Sequence, residues 1–121
     1  MEVYGREVHF ARTVGSTCDI IELCPDENLD KMDELFEGSL RSSQETAAKI
    51  MVIMHKAYEE CEKYKNPDYI ENPLTIKELF TLSEEAFQSL FREALNVWLG
   101  EKATILAEDI DKGKKNEKTS L

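Results

Sequence analysis

Apolar residues recur at three-four spacing through residues 42–65: Ala47, Ile50 and Met51, Met54, Ala57 and Tyr58, Cys61 and Tyr64. That period lines them along one face of an α-helix. Ser42-Ser43-Gln44-Glu45 opens the run as a capping box. The Ser42 hydroxyl accepts from the third helical N–H while Glu45 reaches back to the cap. Asn66-Pro67 closes it, because proline drives the preceding residue out of helical φ/ψ. A helix of this length, about 33 Å, crosses a small domain. It is the predicted centre of the molecule.

The cleanest stripe comes later. Phe87, Leu90, Phe91, Ala94, Leu95 and Trp98 follow the helical repeat and give a wide apolar face. Ser83 is the predicted cap, with Glu84-Glu85 in the first turn and Leu82–Phe87 as a hydrophobic staple. Gly100 ends or weakens this helix, and residues 101–110 add a turn or two through Ala103, Leu106 and Ile110. Before it, Thr75-Ile76-Lys77-Glu78 is a second capping box, stapled by Leu74 and Leu79, for a short helix to about Thr81. Two Asn-Pro steps make residues 66–73 an extended connector.

The N-terminal part alternates at period two. Residues 1–14 predict a β-hairpin with a type II′ turn at Gly5-Arg6, and Val8, Phe10 and Val14 facing inward. His9 falls on the opposite, solvent-facing side. Ser16 then caps a short helix with Ile20, Leu23 and Cys24 on its apolar face. After the turn at Pro25, a second short helix carries Leu29, Met32, Leu35 and Phe36 to a left-handed cap at Gly38. From Asp111 the chain is Lys-rich and polar, the composition of a disordered tail. The prediction is a mainly α fold: a single domain over residues 1–110, one long central helix, a hairpin at 1–14 and a tail at 111–121. Phe36, Ile50, Met54, Leu90, Phe91 and Leu95 are the predicted core.

Composition narrows the function. A chain of 121 residues with 41% hydrophobic and 33% charged residues suits one globular domain. Its net charge of −10 argues against nucleic acid, whose phosphates need clustered Lys and Arg, and against anionic membrane. Most of the surplus lies in residues 16–46, where only Lys31 and Arg41 counter the acids. No run of 18 apolar residues and no leader pattern is present, so the expected location is cytoplasmic. Cys18, Cys24 and Cys61 lack metal-ligand spacing and read as reduced packing residues. Asp26, Glu27, Asn28, Asp30 and Asp33 do not match the calcium loop, which has Gly at its sixth position and Glu at its twelfth. Phosphate-loop, nucleophile-elbow and metalloprotease patterns are absent from the sequence. The expectation is a non-enzyme without metal or cofactor. Trp98, at the end of its stripe, joins Leu99, Leu106 and Ile110 as the expected partner-binding residues, since tryptophan is enriched in hot spots.

Tyr4-Gly5-Arg6-Glu7-Val8, Thr13-Val14-Gly15 and Cys18-Asp19-Ile20-Ile21-Glu22-Leu23-Cys24-Pro25 resemble the N-terminal half of small tail assembly chaperones. Those proteins come from long-tailed phages and from prophages of Gram-positive bacteria. The likeness continues through Thr46-Ala47-Ala48-Lys49, and from Asn72-Pro73-Leu74-Thr75 to about residue 100. It implies an assembly factor that binds the long helical tape measure protein, keeps it soluble and helps recruit tail-tube subunits. Such a factor self-associates into curved arrays and leaves before the virion is finished. It also implies a second, longer product made by a −1 ribosomal slip, for which codons of Gly113-Lys114-Lys115 can form a slippery run. The alternative is an unrelated small acidic bacterial adaptor or regulatory interaction module, which the flanking genes would separate.

Overall fold

Two adjacent residues in the left-handed region start the fold. Tyr4 has φ +48 and Gly5 φ +82, and positive φ at both central positions marks a type I′ hairpin turn. The computed structural model, which describes residues 1–116 and side chains as far as residue 100, pairs β1 (Glu2–Val3) antiparallel with β2 (Arg6–Glu7). The turn therefore sits at Tyr4-Gly5, one residue earlier than the expected Gly5-Arg6. Register decides which side chains face inward, and Val3 and Val8 are both buried.

Beyond Val8 the chain stays extended without a strand partner of its own. It lies along the central helix, where Ala11 N donates to the Met54 carbonyl at 3.0 Å. Phe10 is buried and His9 exposed, as expected. Val14 is not on the inner face: it is 85% exposed, because the helix has already begun there.

That first helix, α1 (Val14–Leu23), is capped by Thr13 rather than Ser16. Thr13 Oγ1 accepts from Ser16 N at 3.0 Å and Ser16 Oγ accepts from Thr13 N at 2.8 Å. Ser16 is thus the third residue of the box and is buried there. Pro25 holds Cys24 extended and ends the helix. Ile20 and Cys24 are buried, whereas Cys18 is exposed, so packing does not explain all three cysteines.

The next segment is a 3-10 helix, Leu29–Phe36, after a short turn at Pro25–Glu27. Eight residues is long for this helix type. Leu29, Met32 and Leu35 recur at every third position, and three residues per turn stacks them along one edge. Gly38 follows at φ +113, the positive φ expected of it.

Helix α2 spans Leu40–Lys65 and begins two residues earlier than Ser42. Ser39 is the cap, accepting from Ser42 N at 3.1 Å. Glu45 does not return to the helix start; it pairs with Arg41 at 3.0 Å. Asn66 closes α2 before Pro67, as expected. Ala47, Ala48, Ile50, Met51, Met54 and Ala57 are buried against the rest of the chain. The apolar face stops short of its predicted end, since Tyr64 is 92% exposed.

After the connector, α3 (Ile76–Leu79) carries the predicted Thr75–Glu78 box, with Leu74 and Leu79 buried as its staple. Helix α4 spans Glu84–Asn116 and is interrupted at Gly100, with φ +55 and ψ −139. Ser83 caps it, accepting from Ala86 N at 3.1 Å. α1, α3, α4 and the 3-10 helix all contact α2, so the long helix is central as predicted. The expected tail at 111–121 lies outside the residues whose side chains are described. Among the described residues, no helix is long and apolar enough to cross a membrane.

Candidate functional site

The α4 stripe has more apolar surface than the core can cover. Leu90 and Ala94 are fully buried, and Phe87 and Trp98 nearly so. Phe91 and Leu95 remain only partly buried, and so does Phe36 opposite them. These three were expected in the core with Ile50, Met54 and Leu90; only the latter three are fully inside. The reason is the 3-10 helix, which lies along the stripe without closing over it.

What remains is an open apolar groove. Leu29, Met32, Phe36, Phe91, Leu95, Trp98 and Leu99 line a hollow of about 590 Å³, with Asp33 at its rim. A second hollow, of about 300 Å³, shares Phe36, Phe91 and Leu95 and continues past Leu40, Ala47 and Phe87. Phe36 and Phe91 meet in the middle with ring centroids 5.8 Å apart, within the range of favourable aromatic pairs. The shared residues make one trough along α4 from Phe87 to Leu99, about 18 Å at the helical rise. Leu40 is 68% exposed at one end and Leu99 41% exposed at the other.

Trp98 is placed differently from the expectation of a partner-facing ring. It is only 6% exposed. The Arg12 guanidinium stacks over it 3.9 Å from the ring centroid, and Arg12 Nη1 donates to the Trp98 carbonyl at 2.6 Å. This cation–π contact ties the N-terminal extended segment to α4 just before its interruption at Gly100. Trp98 is therefore floor, and Leu99 is rim. Leu106 and Ile110 lie outside the residues whose side chains are described. Leu29, Met32, Phe36, Leu40, Phe91 and Leu95 join the site without having been singled out for it. Their apolar spacing was visible, but the spacing of a buried stripe and of a half-covered one is the same.

A second cluster is polar and buried. His55 and Glu59 share the inner face of α2 one turn apart. Glu59 accepts from Asn72 N at 2.6 Å and from the Tyr69 hydroxyl. The ring nitrogens of His55 face two backbone carbonyls, His9 O at 2.9 Å and Asn72 O at 3.2 Å. A neutral ring donates to one of them; a protonated ring donates to both, with Glu59 4.0 Å away as its counter-charge. The Glu59 bond, with burial and nearby charge, pushes the Tyr69 phenol up to about 12. Arg6 extends the network through Asn72 at 2.6 Å and Glu78 at 2.9 Å. Burial alone would raise the Glu78 carboxyl, but bonds from Thr75 and the Arg6 charge overcome it and leave it lowered.

Arg6 Nε is buried without a hydrogen-bond partner; the other bonds of the cluster fasten the hairpin and the connector to α2. No group of three or more His, Cys, Asp or Glu among the described residues is placed to hold a metal ion. The groove, by contrast, offers surface that nothing described here fills. No known family, curated protein or solved structure matches this chain.

Proposed function

We propose that this protein is a non-catalytic tail assembly chaperone whose apolar groove receives an amphipathic helix of the tape measure protein. The observation that carries the reading is the apolar trough between α4 and the 3-10 helix, with Leu40 and Leu99 exposed along it. Helix-in-groove docking needs an apolar channel able to take anchors at helical spacing. An unassembled tape measure exposes long apolar helix surface, an aggregation hazard. Covering it with a protein of net charge −10 adds like-charge repulsion between complexes. Recruitment of tail-tube subunits and self-association into curved arrays are parts of the same proposal, drawn from the family resemblance.

The experiment is co-expression with the product of the neighbouring gene that encodes a long helical protein. The expected result is that this partner stays in solution and co-purifies, and is insoluble when expressed alone. In the same gene cluster, an intact slippery run at codons 113–115 with an open −1 frame past Leu121 is expected. Flanking genes unrelated to phage tails would move the reading to an adaptor that uses the same groove for another helical client.

A further inference from the structure

We infer that the trough takes a partner helix whose apolar face is bordered on one flank by lysine or arginine, set against the acidic edge of the 3-10 helix. The inference rests on reading the trough as a helix-binding surface and adds the charge pattern of what binds there. Its basis is the unequal chemistry of the two rims. In the 3-10 helix, three residues per turn puts Asp30, Asp33 and Phe36 on one edge. Phe36 and Asp33 both line the trough, and Asp30 and Asp33 are exposed. Glu34 and Glu37 are exposed on the next edge. The lysine of that helix, Lys31, pairs with Asp26 at 2.5 Å, so its charge is already matched. This rim is an acidic wall.

The α4 rim is different. Gln88, Arg92, Leu95 and Leu99 follow the helical repeat along it and line the trough. Arg92 is the charged residue among them and is exposed; its neighbour Glu93 is turned to the Met1 amino group at 3.4 Å. Arg12, near the Leu99 end, is engaged with Trp98. Beyond the Phe87 end, Arg41 and Glu84 line an adjoining hollow and carry opposite charges. A helix lying between the rims therefore meets carboxylates on one flank and a guanidinium on the other. Basic residues on both flanks are repelled at Arg92, and acidic residues on both are repelled at Asp30 and Asp33. Lysine and arginine stems lie along apolar surface while their charged heads reach the rim, so the charges match without breaking the apolar seam. Complementary charge of this kind sets specificity and register more than affinity. It also sets direction, because turning the helix end for end carries its basic flank from the acidic wall to Arg92.

The test is a methyl NMR titration of the protein with two synthetic peptides of about 18 residues, long enough to form a helix on docking. Both carry leucine at helical spacing and glutamine elsewhere; one flank of the leucine face is lysine in the first and glutamate in the second. Met32 lines the trough, whereas Met51 and Met54 are fully buried elsewhere and serve as internal references. The lysine peptide is expected to move Met32, leave Met51 and Met54 in place, and bind on the order of fivefold tighter than the glutamate peptide, the scale of one or two exposed ion pairs. Asp30→Asn/Asp33→Asn is expected to bring the two affinities together. Glu60→Gln/Glu71→Gln removes the same charge from exposed positions late in α2 and on the connector, and is expected to preserve the difference. Equal affinities for the wild type overturn the inference and leave the docking reading in place. A lysine preference that survives Asp30→Asn/Asp33→Asn also overturns it, since net charge alone then accounts for the preference. A Met32 resonance that neither peptide moves overturns the docking reading as well.

Discussion

Glu59 is the residue on which the interior depends most sharply. It is a buried carboxylate held by Asn72 N and the Tyr69 hydroxyl, with His55 beside it. Removing it strands those donors inside the protein. Glu59→Ala is expected to cost about 3 kcal/mol, at the upper end for a hydrogen-bonded charged group, measured by denaturant unfolding. Tyr69 gives the pH signature of the same bond. Its phenol, raised from 10.0 to about 12, contributes stability that is fully present below pH 10 and lost as pH rises through 12. Absorbance titration of the wild type should show one phenol titrating near 12, and Glu59→Gln should bring that group down. None of this was legible beforehand. A glutamate and a histidine one turn apart on a helix of mixed composition look like any exposed pair. The connector's return over α2 and the N-terminal segment at His9 and Phe10 cover them.

Helix ends test how local chemistry chose the elements. Ser39→Ala should cost about 1 kcal/mol as a lost cap, while Ser42→Ala should cost little; thermal unfolding of the two variants decides between the caps. The sequence pointed to Ser42 because Glu45 completes a box there. The helix instead starts at Leu40, and Glu45 pairs with Arg41. Where no competing serine stood nearby, as at Thr75–Glu78 and Ser83, the caps were readable and correct. At α3 the same box carries a pH dependence. Glu78 lies below its ordinary 4.5, so its contribution is present above that value and fades as pH falls through the lowered one. Arg6→Gln should shrink the loss of stability on acidification. The α4 stripe divides by burial: Leu90→Ala should cost about 2–5 kcal/mol, and Phe91→Ala less than a fully buried phenylalanine would. Periodicity placed both on one face correctly. It carries no information about how wide a lid the neighbouring segment provides, and a 3-10 helix is too narrow to close this one.

At the scale of the molecule, a central helix, a pinned N-terminal segment and a half-covered stripe leave one long apolar trough beside an acidic wall. The mainly helical fold with its short hairpin was legible because caps, prolines and apolar spacing act locally. The trough was not, because it arises from a mismatch between two elements far apart in sequence, Leu29–Phe36 and Phe87–Leu99. Of the expected contact residues, Trp98 went to the floor under Arg12 and Leu99 to the rim. If the trough is the docking surface, its exposed ends can be altered without touching the core. The deciding measurement is co-purification of the long helical partner with Leu40→Glu/Leu99→Glu, beside Tyr64→Glu as a control 92% exposed on another part of α2. The groove variant is expected to lose the partner while its thermal unfolding, like the control's, stays at the wild-type value. A groove variant that retains the partner as well as the control does would contradict it.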